Sequence, residues 1–181
     1  MSEFHSSSPF ADKPVLLIAS GPSLGNNAEW LQKNKDKFFI IAVLSSIKTL
    51  YSIDVKPDIV IHMDSEASDI DLLQGINIKN FFDRTAFIFS SILARNIVDA
   101  IPKEQLYFFE TASSYKEGSQ ITAAPSVGES TYAISLILGA QELYLLGLDL
   151  ALDPETKSTH STEHIDYREI KDITEDHEQY T

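Results

Sequence analysis

Six short apolar runs recur along this chain with helix-like spacing between them, and that alternation narrows the possible folds more than any other feature. The runs cover residues 15–19, 38–43, 59–63, 86–89, 105–109 and 143–148, each rich in Val, Ile, Leu or Phe. Continuous apolar runs of this length read as strands buried on both faces, which is the pattern of a parallel sheet. Pro57 and Asp58 mark the turn into the third run, because proline suits a turn and not a strand centre. Helices are predicted near residues 28–34, 45–53, 91–100 and 129–138, with a short helix and then a loop over 68–82. In the clearest of these, Tyr132, Ala133, Leu136 and Ile137 form one apolar face, and Gly139 is placed to cap the end. Strand–helix alternation predicts a Rossmann-like, doubly wound α/β fold, its sheet mostly parallel and its helices on both faces.

With 181 residues, the chain suits one well-buried domain. The domain is expected over residues 13–160, after a flexible Ser-rich leader at 1–12 and before a polar acidic tail at 161–181. That tail has no stop signal, which suggests that it was cut from a longer protein. A formal net charge of −13 repels a phosphodiester backbone and argues against nucleic acid as a partner. The chain has no cysteine, so disulfides and thiolate metal sites are excluded. No apolar run approaches the roughly 20 residues that span a bilayer, and the leader lacks a signal peptide's apolar core. A cytoplasmic location is expected.

In a doubly wound fold, ligands bind beyond the carboxyl ends of the strands. The first strand runs straight into Ser20, Gly21, Pro22 and Ser23. A glycine there can take positive φ and admit a ligand to the backbone. A helix starting soon afterwards would aim free amides and a positive dipole end at a phosphate. The other strands end in Ser45 and Ser46, in Asp64, Ser65 and Glu66, in Ser90 and Ser91, in Glu110 and Thr111, and in Asp149. Asp64 reads either as a helix cap or as a ligand contact, and Asp149 as a turn residue or a rim carboxylate. Asp64 with Glu66 could hold Mg²⁺ beside a phosphate. Pro125–Ser126–Val127–Gly128–Glu129–Ser130–Thr131 opens the last helix. Ser126 or Ser130 is a candidate cap, and Gly128, costly in a first turn, points to close approach of a ligand. His160 follows the last strand closely enough to return over the rim as a general base. His164, four residues on, lacks the frame of a zinc site. His62 reads as a core or sheet-face residue. No nucleophile elbow or P-loop lysine pattern is present.

Ile18–Ala19–Ser20–Gly21–Pro22–Ser23–Leu24 resembles the opening motif of the motility accessory factor (Maf) proteins, which glycosylate flagellin. Pro125–Ser126–Val127–Gly128, with its helix and the stretch Leu138–Gly139–Ala140–Gln141–Glu142–Leu143–Tyr144–Leu145–Leu146–Gly147–Leu148–Asp149–Leu150–Ala151, resembles their second motif, and Thr159–His160 a step that follows it. The same blocks occur in Cst-like bacterial sialyltransferases and in archaeal-type pterin diphosphokinases. The resemblance implies transfer of a nonulosonic acid (pseudaminic, legionaminic or sialic-like) from a CMP-activated donor to Ser or Thr hydroxyls of flagellin. It places Ser20, Gly21, Pro22, Ser23, Asp64, Ser126 and Gly128 at the nucleotide, with Asp149 and His160 as catalytic residues. No metal site is assigned; in the alternative, pyrophosphate transfer from ATP to a 6-hydroxymethylpterin, Mg²⁺ would be held by Asp64 or Asp149. A third reading is a non-catalytic module that binds flagellin or a nucleotide. The sialyltransferases carry Asn where this chain has Ser20. They also place tyrosines before the histidine to steady the leaving phosphate, and residues 150–159 here contain none. Backbone amides, Ser or Thr hydroxyls, Lys157, a metal or missing parts of a parent protein would have to replace them.

Overall fold

The computed structural model describes residues 10, 13–110, 126–152, 155, 157, 158 and 160. Among the described residues, six strands form one sheet: β1 (Val15–Ile18), β2 (Phe39–Val43), β3 (Ile59–His62), β4 (Ala86–Ser90), β5 (Leu106–Phe109) and β6 (Leu143–Leu146). Their spatial order is β5-β4-β3-β2-β1-β6, and every neighbouring pair is parallel. The helices are α1 (Pro22–Asn26), α2 (Ala28–Asn34), α3 (Ile47–Ser52), α4 (Ile78–Phe81), α5 (Arg95–Ala100) and α6 (Val127–Ile137). The sequence reading missed α1 and α4. Across the ambiguous stretch the chain forms a 3-10 helix, Ala67–Leu73, and then α4.

Successive side chains on a strand point to opposite faces, and the two cores divide accordingly. Leu16, Ile18, Ile40, Ala42, Val60, Phe87 and Phe89 pack with Leu24 of α1, Leu31 of α2, Ile47 and Leu50 of α3, Phe81 of α4 and Ile97 of α5. Val15, Ile41, Ile59 and Ile61 pack on the other face with Ile134 of α6 and with Phe10. Phe10, assigned by sequence to the leader, stacks edge-on against Phe39 at 5.0 Å between ring centres. A run of rings crosses the first core, from Phe82 to Phe87 at 5.1 Å and from Phe87 to Phe89 at 5.5 Å. Fully burying each of these phenylalanines contributes roughly 2–3 kcal/mol.

Connections between parallel neighbours are right-handed. The sheet therefore grows from β1 to β5 with α1–α5 on one face, then returns across the other face through α6 to place β6 beside β1. Strand order reverses between β1 and β6. That reversal leaves a crevice beyond the ends of those two strands.

The apolar stripe predicted on α6 faces away from the sheet. Tyr132, Leu136 and Ile137 are 43%, 48% and 66% exposed, while Gly128, Ser130, Thr131, Ile134 and Ser135 are buried. Two of the buried hydroxyls are satisfied within the helix: Thr131 donates to the Val127 carbonyl and Ser135 to that of Thr131, both at 2.7 Å. With those groups satisfied, small residues let the helix lie close to β1, β2 and β3. The cap predictions hold at both ends. The Ser126 hydroxyl accepts from the Glu129 amide at 3.2 Å, and Gly139 closes the helix at φ +94°.

Candidate functional site

Two turns meet at the reversal in strand order, and each explains the other's glycine. The β1 ladder continues past its end, with the Ala19 amide donating to the Leu146 carbonyl at 2.8 Å and Gly21 to that of Gly147 at 2.7 Å. Ser23 then binds the second turn twice. Its amide donates to Asp149 Oδ2 at 2.8 Å, and its hydroxyl accepts the Gly147 amide at 2.9 Å. Gly21 has φ −66° and ψ 169°, so its left-handed freedom is not used. The requirement for glycine is spatial. A Cβ at Gly21 would lie 2.5 Å from Asp149 Oδ2 and 2.6 Å from the Gly147 carbonyl oxygen. Gly147 itself has φ +74°, and a Cβ there would collide with the Ala19 carbonyl.

This arrangement redirects the phosphate argument. The amides of Gly21 and Ser23 are held by the chain's own carbonyl and carboxylate, and Pro22 has no N–H. The carboxylate of Asp149 lies where the sequence reading placed an incoming phosphate. Gly128 is likewise buried against protein. A Cβ there would collide with the Leu148 side chain, so packing with Leu148 accounts for the residue without a ligand.

A groove of about 330 Å³ opens beside these turns. Ser20, Gly21, Ser126, Gly128, Asp149 and His160 all line it, from opposite sides of the reversal. Ser20 is 8% exposed, and its hydroxyl lies 3.3 Å from His160 Nδ1. Ser45, at the end of β2, donates to that hydroxyl at 3.1 Å. The histidine backbone is fixed locally, its amide donating to the Ser158 hydroxyl at 3.2 Å and its carbonyl accepting from it at 3.0 Å. If Nδ1–H donates to Ser20, Nε2 keeps its lone pair, the tautomer that a base requires. Ser45 is the member that residue-by-residue reading noted only as a strand-end hydroxyl. Its strand position was the available signal.

Asp64 stands apart. It is exposed beyond β3 and is not among the groove's lining residues. Nor does it cap the helix that follows, whose N-cap residue is Glu66. Below Asp64 lies a pair that sequence reasoning missed. His62 Nε2 and Asp69 Oδ2 are 3.0 Å apart, with side chains 5% and 17% exposed. Burial pushes the His62 imidazole below its ordinary pKa, outweighing the attraction of Asp69 and then Asp64. Pro125, Thr159 and His164 lie outside the described residues. Among the described residues, no cluster of three or more His, Cys, Asp or Glu side chains is placed to hold a metal ion. No helix among them is long and apolar enough to cross a membrane.

A sequence profile described as 6-hydroxymethylpterin diphosphokinase MptE-like matches residues 1–155. The chain belongs to the MptE-like family. No curated protein sequence matches it. Among solved structures, this MptE-like chain resembles the Maf glycosyltransferase from Magnetospirillum magneticum AMB-1, with a TM-score of 0.67 and 21% identity. The match covers 81% of this chain and 25% of that one, so the shared fold spans about a quarter of the glycosyltransferase. At this identity the likeness establishes the fold, and the fold agrees with the doubly wound class expected from the strand–helix alternation.

Proposed function

We propose that this chain is the nucleotide-binding domain of a transferase that moves a group from a phosphate-linked nucleotide donor to a hydroxyl. The observation that carries the reading is the convergence of Ser20, Ser126, Gly128 and His160 on one groove at the reversal in strand order. In the specific form we favour, the donor is a CMP-activated nonulosonic acid and the acceptor a Ser or Thr hydroxyl of flagellin, in the cytoplasm. The acceptor oxygen attacks the anomeric carbon, its bond to the phosphate oxygen of CMP breaks, and the acceptor proton passes to His160 Nε2. Ser20, steadied by Ser45, holds the ring through Nδ1. Negative charge that develops on the departing phosphate is met at the start of α6, where Val127 and Gly128 line the groove. The helix presents roughly half a positive charge at that end. Gly21 and Ser23 take no part in this charge stabilisation, because their amides are already engaged.

The family match favours a second reading, pyrophosphate transfer from ATP to a 6-hydroxymethylpterin. Mg²⁺ would offset the charge of the triphosphate there. Asp149 is the acidic residue on the described groove lining. One of its oxygens accepts from Ser23, which leaves the other to meet a metal alongside phosphate oxygens. Asp64, away from the groove, does not fit that role.

Calorimetric titration with CMP, CDP and ATP, with and without Mg²⁺, separates the two. Sugar transfer predicts binding of CMP without a metal requirement. Binding of ATP alone, with AMP released in the presence of the pterin, would establish the diphosphokinase instead. Binding of nucleotide or flagellin with no turnover of either donor would leave a non-catalytic module.

A further inference from the structure

We infer that Asp149 is a positioning residue: its carboxylate clasps the β1 turn to the β6 turn and so sets the shape of the nucleotide groove, in place of holding a metal or moving a proton. The inference rests on the reading above that the groove takes a nucleotide. Three contacts support it. Asp149 Oδ2 accepts the Ser23 amide at 2.8 Å, the Ser23 hydroxyl accepts the Gly147 amide at 2.9 Å, and Gly147 accepts from Gly21 at 2.7 Å. The three bonds close a reciprocal loop between segments more than 120 residues apart in sequence, by the 124-residue separation of Gly147 and Ser23.

The segment held by this loop is the one that shapes the groove. Gly147, Leu148, Asp149, Leu150 and Ala151 all line it. Leu148 fills the space above Gly128 at the start of α6. Leu150, at φ +49°, takes a backbone conformation that is uncommon for leucine. The close approach of Oδ2 to Gly21 gives the same answer from the other side. Any larger residue at position 21 would displace the carboxylate from the Ser23 amide. Releasing the carboxylate therefore loosens residues 148–151 relative to the β1 turn, and with them the groove wall beside the nucleotide, while Gly147 stays bonded to Gly21 and Ser23. The reacting atoms near His160 remain in place, because Ser20 and Ser45 hold the ring from the β1 and β2 side.

The decisive property is that an amide oxygen can replace a carboxylate as acceptor for an N–H, whereas it is a poor Mg²⁺ ligand and no base. Amide hydrogen exchange of the nucleotide-free protein tests the clasp directly. Asp149→Ala should accelerate exchange at Ser23 by about tenfold or more, the scale of losing one charge-assisted hydrogen bond, and Asp149→Asn by about threefold or less. Ser23→Ala should accelerate exchange at Gly147 while leaving the Ser23 amide bound. CMP titration and turnover then test its consequence. Asp149→Ala should weaken nucleotide binding about tenfold with kcat changed far less, and Asp149→Asn should restore most of the affinity. Equal loss of kcat in Asp149→Ala and Asp149→Asn overturns the proposal in favour of a metal ligand or base. Unchanged Ser23 exchange in Asp149→Ala overturns the clasp itself. Absence of nucleotide binding by the unaltered protein refutes the functional reading instead, and the exchange result still decides the clasp.

Discussion

The two ends of the sheet carry cavities of different kinds, and the larger is the less suited to chemistry. At the amino end a cavity of about 520 Å³ is lined by Phe10, Lys13, Lys35, Phe38, Lys56 and Asp58, among others. Its three ammonium groups are already engaged. Lys13 donates to the Asp36 carbonyl at 3.0 Å, Lys35 to that of Asp54 at 2.6 Å, and Lys56 to that of Asn80 at 2.7 Å. Helices in this architecture end above the amino ends of the strands, and lysines satisfy the carbonyls left open there. At the carboxyl end the groove is smaller, about 330 Å³, but holds a histidine, two linked serines and the start of α6. Cavity size reflects where helix ends leave gaps. Chemical competence follows from the reversal in strand order, which brings residues distant in sequence to one place.

That contrast can be broken most sharply at Gly147. Gly147→Val puts a branched side chain at positive φ and against the Ala19 carbonyl. Urea denaturation should show a loss of more than about 3 kcal/mol; a loss below 1 kcal/mol would mean that the turn can move aside. Next in size is His160→Ala, which should lower turnover by about 10²-fold with nucleotide affinity nearly unchanged. Undiminished turnover would remove His160 from the mechanism. Gly128→Ala should cost about 1–2 kcal/mol by crowding Leu148. Pairing it with Leu148→Ala should return part of that cost as a favourable coupling in a double-mutant cycle, whereas simple additivity would show that the two do not share the space.

At the carboxyl end of β3, His62 gives a pH signature. Its folded pKa is lowered, so the unfolded state binds more protons below the ordinary value of about 6.5. Stability is thus fully present above that pH and is lost as pH falls through the window beneath it. His62→Gln should flatten the fall between pH 7 and 5.5, and an unaltered slope would place its origin elsewhere. The smallest effect is expected at the amino end. Changing Lys13, Lys35 or Lys56 singly to Met should shift the melting temperature by less than about 3 °C and leave CMP binding untouched. Weakened binding in any of the three would move the site to the larger cavity.

The sheet was legible because burial on both faces demands unbroken apolar runs, and all six runs became strands. The cap at Ser126 and the stop at Gly139 were legible for a similar reason, since both depend on local geometry. The orientation of α6 was not. Its Leu and Ile stripe suggested the buried face, but self-satisfied Ser and Thr hydroxyls allow a closer approach to the sheet. The glycines were legible as positions of close approach, but the protein neighbours that crowd them were not. Gly21 and Gly128 make room for Asp149 and Leu148, neighbours that only the return of β6 to β1 brings near. His62–Asp69 spans only seven residues and was missed for a local reason. The 3-10 helix that turns Asp69 back onto β3 lies in the stretch read only as a short helix and then a loop. Ser20–His160, joined across 140 residues, could be anticipated only as two residues on one rim.

Mapping backbone amide shifts while titrating CMP, and then ATP with Mg²⁺, tests the central claim that nucleotide binds at the carboxyl end. The account predicts perturbations concentrated at Ser20, Ser45, Val127, Gly128, Leu150 and His160, with Lys13, Lys35, Asp54 and Lys56 silent. Perturbation centred on the lysine-lined cavity, with the groove unchanged by either nucleotide, would contradict it.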